Sequence, residues 1–214
     1  YVHGLRDVLG AAYDQRVRVA SYEVTDPTVD SQLIALQGAD VLVSGVTAKF
    51  AAMAIRKIHE MGWKAAHYIA SGASSVAGVI QPAGVERATG TVSSAYLKDP
   101  NDPAWAGDAG MAEYRRFMAR WLPDADTTDI YYTYGYTVSL ALMQVLAQCQ
   151  GQLTRERIIR EAANLRGLEI PTLLPGIRVD TSPTDYRPLQ QLQLIRWDGT
   201  MWQRFGPVID GAVS

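Results

Sequence analysis

Two short loops carry the residues best suited to holding a small molecule. Ser71-Gly72-Ala73-Ser74-Ser75 offers hydroxyls between small side chains, directly after one apolar run and directly before a helix start. Hydroxyls and uncrowded backbone N–H groups in that setting suit a carboxylate or carbonyl oxygen. The same residues also suit a helix cap followed by a turn, and spacing alone leaves both readings open. Ser44-Gly45-Val46-Thr47 follows an earlier apolar run in the same way. Tyr131, Tyr132, Tyr134 and Tyr136 crowd the start of a long apolar segment. Such rings are expected to pack between layers with the hydroxyl at the surface, ligand contact being the other use.

Catalytic chemistry finds no comparable footing. There is no Gly-x-Gly-x-x-Gly and no P-loop pattern. His-Glu-x-x-His and Cys-x-x-Cys metal spacings are missing, as is a Gly-x-Ser-x-Gly elbow. Asp99 and Asp102 flank Pro100, which suits a turn better than an acid–base pair. Cys149 is the only cysteine and sits in a helical apolar pattern with Leu140, Val145 and Leu146. Such a thiol is expected to be a buried, small apolar side chain. No enzyme, no metal and no cofactor is expected.

Composition narrows the partners. The chain has 214 residues, 48% apolar and 20% charged, with a net charge of −2. Those values suit a globular protein with a real core. No basic stripe is present, so nucleic acid is not an expected partner. The longest uncharged stretch, Ile130 to Thr154, holds four tyrosines along with Gln, Thr and Gly. It is expected to be a buried helix rather than a membrane span.

The elements that position the loops can be read from periodicity. Helices are expected at Val2–Ala12, Asp30–Gln37, Ala48–Met61 and, briefly, Val76–Gln81, stopping before Pro82. Strands are expected at Arg16–Val24, Ala39–Ser44, Ala65–Ala70 and Gly90–Leu97, buried on both faces. After Lys98-Asp99-Pro100 the pattern changes to three long helices, about Pro103–Trp121, Thr133–Gln150 and Thr154–Leu165. An irregular stretch, Glu169–Pro188, follows. A hairpin closes the chain, with Leu189–Trp197 and Thr200–Phe205 around Asp198-Gly199. Alternating strand and helix imply a parallel sheet with helices on its faces. In such sheets ligands bind at the carboxyl ends of the strands, where both loops lie. The chain opens in mid-helix, so a missing N-terminal part is expected.

Several irregular segments carry a family resemblance. Thr25-Asp26-Pro27-Thr28-Val29-Asp30-Ser31-Gln32, Lys49-Phe50-Ala51-Ala52-Met53-Ala54-Ile55-Arg56-Lys57 and Ala95-Tyr96-Leu97-Lys98-Asp99-Pro100 resemble branched-chain amino-acid-type extracellular solute-binding proteins. So do Tyr134-Gly135-Tyr136, Leu173-Leu174-Pro175-Gly176-Ile177 and Thr181-Ser182-Pro183-Thr184-Asp185-Tyr186. The resemblance runs in order from Tyr1 to about Ile209. It implies an α/β type I periplasmic-binding-protein fold, two Rossmann-like lobes with parallel sheets. Residues 1–95 and 188–214 would be lobe two, and 96–187 the C-terminal part of lobe one.

The resemblance also implies a function. The protein would be the periplasmic solute-binding component of an ABC importer, a monomer that captures a small-molecule ligand in an interlobe cleft and docks on a membrane permease. The alternative is a ligand-sensing domain of a receptor or regulator with the same fold. Tyr1 and Gly4 match the family's Tyr-Gly-x-Gly turn, whose tyrosine packs on the ligand, although Val2 replaces the first glycine. Tyr1, Ser44, Gly45, Val46, Thr47, Ser71, Gly72, Ala73, Ser74 and Ser75 would line the ligand site. Amino-acid-binding members place an acidic residue on the loop after the third strand. No Asp or Glu occurs from Ala65 to Val85. A buried ammonium without a counter-charge is costly, so the expected ligand lacks an α-amine: an aromatic or aliphatic carboxylate, or else a neutral amide-like solute.

Overall fold

The structure, a computed structural model, describes residues 1–211; residues 212–214, the end of the expected lobe-two segment 188–214, lie outside the described residues. The chain divides into two compact units. Unit 1 holds Tyr1–Ser93 and Trp197–Thr200, and unit 2 holds Ser94–Arg196 and 201–211. Most of the closing hairpin therefore groups with unit 2, whereas the resemblance assigns it to lobe two.

Unit 1 alternates helix and strand. It opens with α1 (Val2–Leu9), a tight turn and α2 (Tyr13–Arg16), followed by α3 (Asp30–Leu36). Then come β1 (Val41–Ser44), α4 (Ala48–Glu60), β2 (Ala66–Ile69), a short α5 (Gln81–Ala83) and the start of β3 (Val92–Ala95). β1 and β2 run parallel, with Val41 opposite Ala66 and Ser44 opposite Ile69. β3 continues the parallel ladder through Tyr68 and Val92. α4 buries Phe50, Ala51, Ala54, Ile55 and Ile58 at helical spacing, and Leu42, Leu33 and Val29 complete the core beneath it. Gly62, with φ +60°, lets the chain turn back at the end of α4, a conformation that other residues adopt only under strain.

Three expectations need correction here. Arg16–Val24 forms no strand. Val17 is extended, but β1 ladders only with β2 among the described strands, and a strand exists only through a partner's hydrogen bonds. Second, β1 and β2 bury one face each, not both. Leu42, Ser44, His67 and Ile69 point inward, while Val41, Val43 and Tyr68 are exposed. Third, the expected helix Val76–Gln81 is a π-type turn over Val76–Ile80 that passes into α5. Pro82 lies inside α5, in its first turn, where its missing N–H leaves no bond unmade.

Unit 2 is built around an irregular segment. Its helices are α6 (Ala109–Trp121), α7 (Ile130–Gln148) and α8 (Arg155–Ala162), and its hairpin strands are β4 (Gln191–Trp197) and β5 (Trp202–Asp210). The expected helix from Pro103 breaks into a 3-10 turn at Pro103–Trp105 before α6 begins. Leu165, Ile170, Leu173, Leu174, Ile177 and Val179 form the core with Leu97 and Val145. The stretch Glu169–Pro188 is thus irregular as expected, yet it supplies five of the eight buried residues of this cluster. Paired bonds between Leu168 and Val179, at 3.0 and 2.9 Å, close its turn.

The buried Lys98 ties this segment to α6. Its ammonium donates to Asp108 Oδ2 and to the Pro171 carbonyl, each at 2.7 Å. Asp108 also caps α6 by accepting from the Met111 N–H at 2.9 Å. The bond from Lys98 holds the Asp108 carboxyl below the usual carboxylate range. Gly110 makes the close approach possible, since a Cβ there would lie 2.5 Å from Pro171 Cβ. Replacing Lys98 with methionine keeps the stem but strands both acceptors. Urea unfolding should show a loss of about 2 kcal/mol, the scale of charged hydrogen bonds.

α7 departs from expectation on its outer side. Thr133, Thr137 and Val145 are buried, but Tyr131, Tyr134, Val138 and Leu142 are 40%, 49%, 47% and 51% exposed. The spacing of three, four and four residues makes these one stripe of the helix. The uncharged sequence registers how apolar the helix is, not which side is covered. No helix among the described residues is long and apolar enough to cross a membrane.

Candidate functional site

Parallel pairing of β1 and β2 sets the site. Ser44 ends β1 opposite Ile69, and the Ala70 N–H donates to the Ser44 carbonyl at 3.2 Å. The loops 44–47 and 71–75 therefore leave the sheet side by side, at its carboxyl edge. Tyr1 joins them. Its ring lies on Gly45, so that a Cβ added there would fall 2.6 Å from Tyr1 Cδ2. Only a residue without a side chain allows this approach. Tyr1 itself is 68% exposed.

Within the first loop the residues divide by role. Ser44 is buried, and its hydroxyl meets His67 Nε2 at 2.8 Å. Val46 packs partly into the core beside Phe50. Gly45 and Thr47 are exposed. The Thr47 N–H donates to the Tyr22 hydroxyl at 3.0 Å, and the Tyr22 ring leans on Phe50 with centroids 4.7 Å apart. Thr47 stands at the N-cap of α4 without making a side-chain cap bond. The first turn of α4 thus presents backbone N–H groups and the positive end of its dipole at this edge.

The serine loop is largely self-bonded. Ser71–Ala73 form a 3-10 turn. The Ser74 hydroxyl donates to the Ser71 carbonyl at 2.8 Å. Ser75 Oγ accepts from the Gly78 N–H at 2.9 Å and caps the turn that follows. Ala73, Ser74 and Ser75 are buried, Ser71 is half-buried and Gly72 is exposed. The capping chemistry read from the sequence is therefore used by Ser74 and Ser75. Ser71 and Gly72 offer the accessible part of the loop.

Two further residues belong to this region. Tyr22 holds the Thr47 amide, and nothing in its sequence context, an expected strand, singled it out. His67 lies beneath the site, where burial pushes its pKa down to about 4. Its one signal was a polar residue at the inward phase of a short apolar strand.

The other residues weighed in the sequence take structural roles. Asp99 accepts from the Asn101 N–H at 2.8 Å and Asp102 from the Ala104 N–H at 2.8 Å, as turn formers. Cys149 is fully buried. Tyr136 packs against Tyr114 and Phe117, whereas Tyr131, Tyr132 and Tyr134 are exposed, contrary to the packing expected of them. No cluster of metal-ligating side chains occurs among the described residues.

Comparison with known proteins gives these observations a context. A family model described as periplasmic binding protein matches residues 7–201. No curated protein matches the chain significantly. Among solved structures, a substrate-binding periplasmic protein from Ralstonia solanacearum is similar with a TM-score of 0.74 at 17% identity, covering 87% of this chain and 52% of that one. A branched chain amino acid ABC transporter protein from Thermus thermophilus with bound valine reaches 0.70 at 14% identity, covering 92% and 52%. A leucine binding protein from Thermotoga maritima reaches 0.66 at 14% identity, covering 91% and 52%. The chain thus spans about half the length of these structures.

Proposed function

This chain belongs to the periplasmic binding protein family, and on that footing we propose that it is part of the solute-binding component of an ABC importer. It binds rather than transforms its ligand, and delivers it from the periplasm to a membrane permease. Residues 1–95 and 188–214 serve as lobe two, and 96–187 as the C-terminal part of lobe one. The bare outer stripe of α7 supports the second assignment, because a helix this apolar normally has cover on both sides.

One observation carries the reading. The loops 44–47 and 71–75 emerge together at the carboxyl edge of a parallel sheet, with the Tyr1 ring seated on Gly45. Tyr1, Gly45, Thr47, Ser71 and Gly72 form the lobe-two wall of the ligand site. Ser44, Val46, Ala73, Ser74 and Ser75 hold that wall in shape from behind.

The ligand is a small organic carboxylate without an α-amine. Neither loop carries a carboxylate to receive an ammonium group. The uncapped first turn of α4 and the hydroxyls of Tyr1 and Thr47 favour an anion. The bound valine of the Thermus structure belongs to that protein, and an identity of 14% carries the fold alone. Calorimetric titration of the full-length protein with isovalerate, benzoate and valine tests the point. Saturable binding of a carboxylate, with valine at least roughly tenfold weaker, a difference near 1.4 kcal/mol, is expected. Valine binding as tight or tighter overturns the assignment.

A single substitution tests the wall itself. Gly45→Val should drive the Tyr1 ring from its seat and weaken solute binding by about tenfold. Both residues are exposed, so the unfolding midpoint should move little. Calorimetry and urea unfolding of the same variant separate the two effects.

A further inference from the structure

Unit 1 contains a second hollow at the other edge of its sheet, beside Ala65 and Gly90, just before β2 and β3 begin. Its volume is about 450 Å³, within the range of small-ligand cavities. One wall is apolar, made by Ile55, Ile58 and Trp63. The Trp63 indole is fixed by donating to the Ala39 carbonyl at 2.9 Å. Lys64, Arg87 and His59 also line it, together with the hydroxyl residues Thr89 and Thr91. His67 closes the floor, buried, with its ring tied to Ser44.

The lining of the hollow is cationic. No carboxylate lines it. Among the described residues neither Lys64 nor Arg87 forms an ion pair, although lysines and arginines elsewhere do. Arg87 is also held back over Gly84, where a Cβ would come within 3.2 Å of Arg87 Cδ. The absent side chain gives the arginine stem its place.

We propose that this hollow binds a phosphate monoester with an apolar body. Lys64 supplies a compact charge and Arg87 a planar fork matched to phosphate oxygens. Hydroxyls of Thr89 and Thr91 complete the polar side, and the Trp63 wall receives the ester group. A single carboxylate would leave one cation unmatched, which favours the doubly charged anion.

Phenyl phosphate is the test ligand, titrated into the full-length protein at low ionic strength. Saturable one-to-one binding is expected, weakened at least roughly tenfold in the Lys64→Ala/Arg87→Ala double variant. Both side chains are exposed, so the variant should fold, and its unfolding curve checks this. The His67 imidazole resonances should shift on addition of phenyl phosphate to the wild type and stay still in the double variant. Vesicles containing phosphatidic acid, run alongside, distinguish the source: co-sedimentation assigns a lipid headgroup, and its absence beside phenyl phosphate binding assigns a free ester. No saturation at millimolar phenyl phosphate, or equal affinity in the double variant, overturns the proposal.

Discussion

Truncating Trp197 to alanine should cost about 3–5 kcal/mol of stability, the range for emptying a large aromatic site. Trp197 ends β4 and is 1% exposed. It groups with unit 1, where its backbone exchanges 2.9 Å bonds with Gly90 and Thr91. The indole Nε1 donates to the Val85 carbonyl at 2.8 Å. The residue therefore fills volume, pairs with the backbone just before β3 and donates to the Val85 carbonyl. Trp197→Phe separates these parts. It keeps most of the apolar volume and loses the indole donor, so a smaller loss of about 1–2 kcal/mol is expected. Urea unfolding of both variants checks the order. Equal losses would mean that packing contributes little and the Val85 bond nearly everything.

The second large effect is a dependence on pH. Burial lowers the His67 pKa to about 4 from an ordinary value of 6.5. The unfolded chain takes up a proton at this residue as pH falls through 6.5, while the folded chain resists until near 4. Between those limits the unfolded state binds more protons, so stability rises with pH. The contribution is complete above about 6.5, and it is lost progressively on acidification toward 4. A shift of this size corresponds to about 3 kcal/mol. His67→Gln retains a polar partner for Ser44 but cannot titrate. Unfolding free energies measured from pH 7.5 to 4.5 should fall more steeply in the wild type than in the variant. Parallel slopes, or a folded-state His67 titrating near 6.5 by NMR, would contradict the assignment.

What could be read from the sequence was local. Ser75 capping a turn, Gly62 ending α4 and the apolar face of α4 all follow from residues within a few positions of one another. Both site loops were placed by the alternation of strand and helix, which sets the carboxyl edge without any knowledge of side-chain contacts. The Arg16–Val24 strand failed for the opposite reason. Its β-branched alternation reports propensity, and propensity cannot supply a neighbouring strand. Lys98 and His67 were opaque because their partners, Pro171 and Ser44, lie far along the chain. Tyr22 belongs with them: its role depends on the Thr47 amide, 25 positions away.

The two inward serines of the 71–75 loop have an entropic meaning as well. Ser74 and Ser75 anchor the loop backbone through their own hydrogen bonds, so under the proposed function a solute would meet a rim already in shape. A rim of that kind is preorganised, and less conformational freedom would be lost when it closes on a ligand.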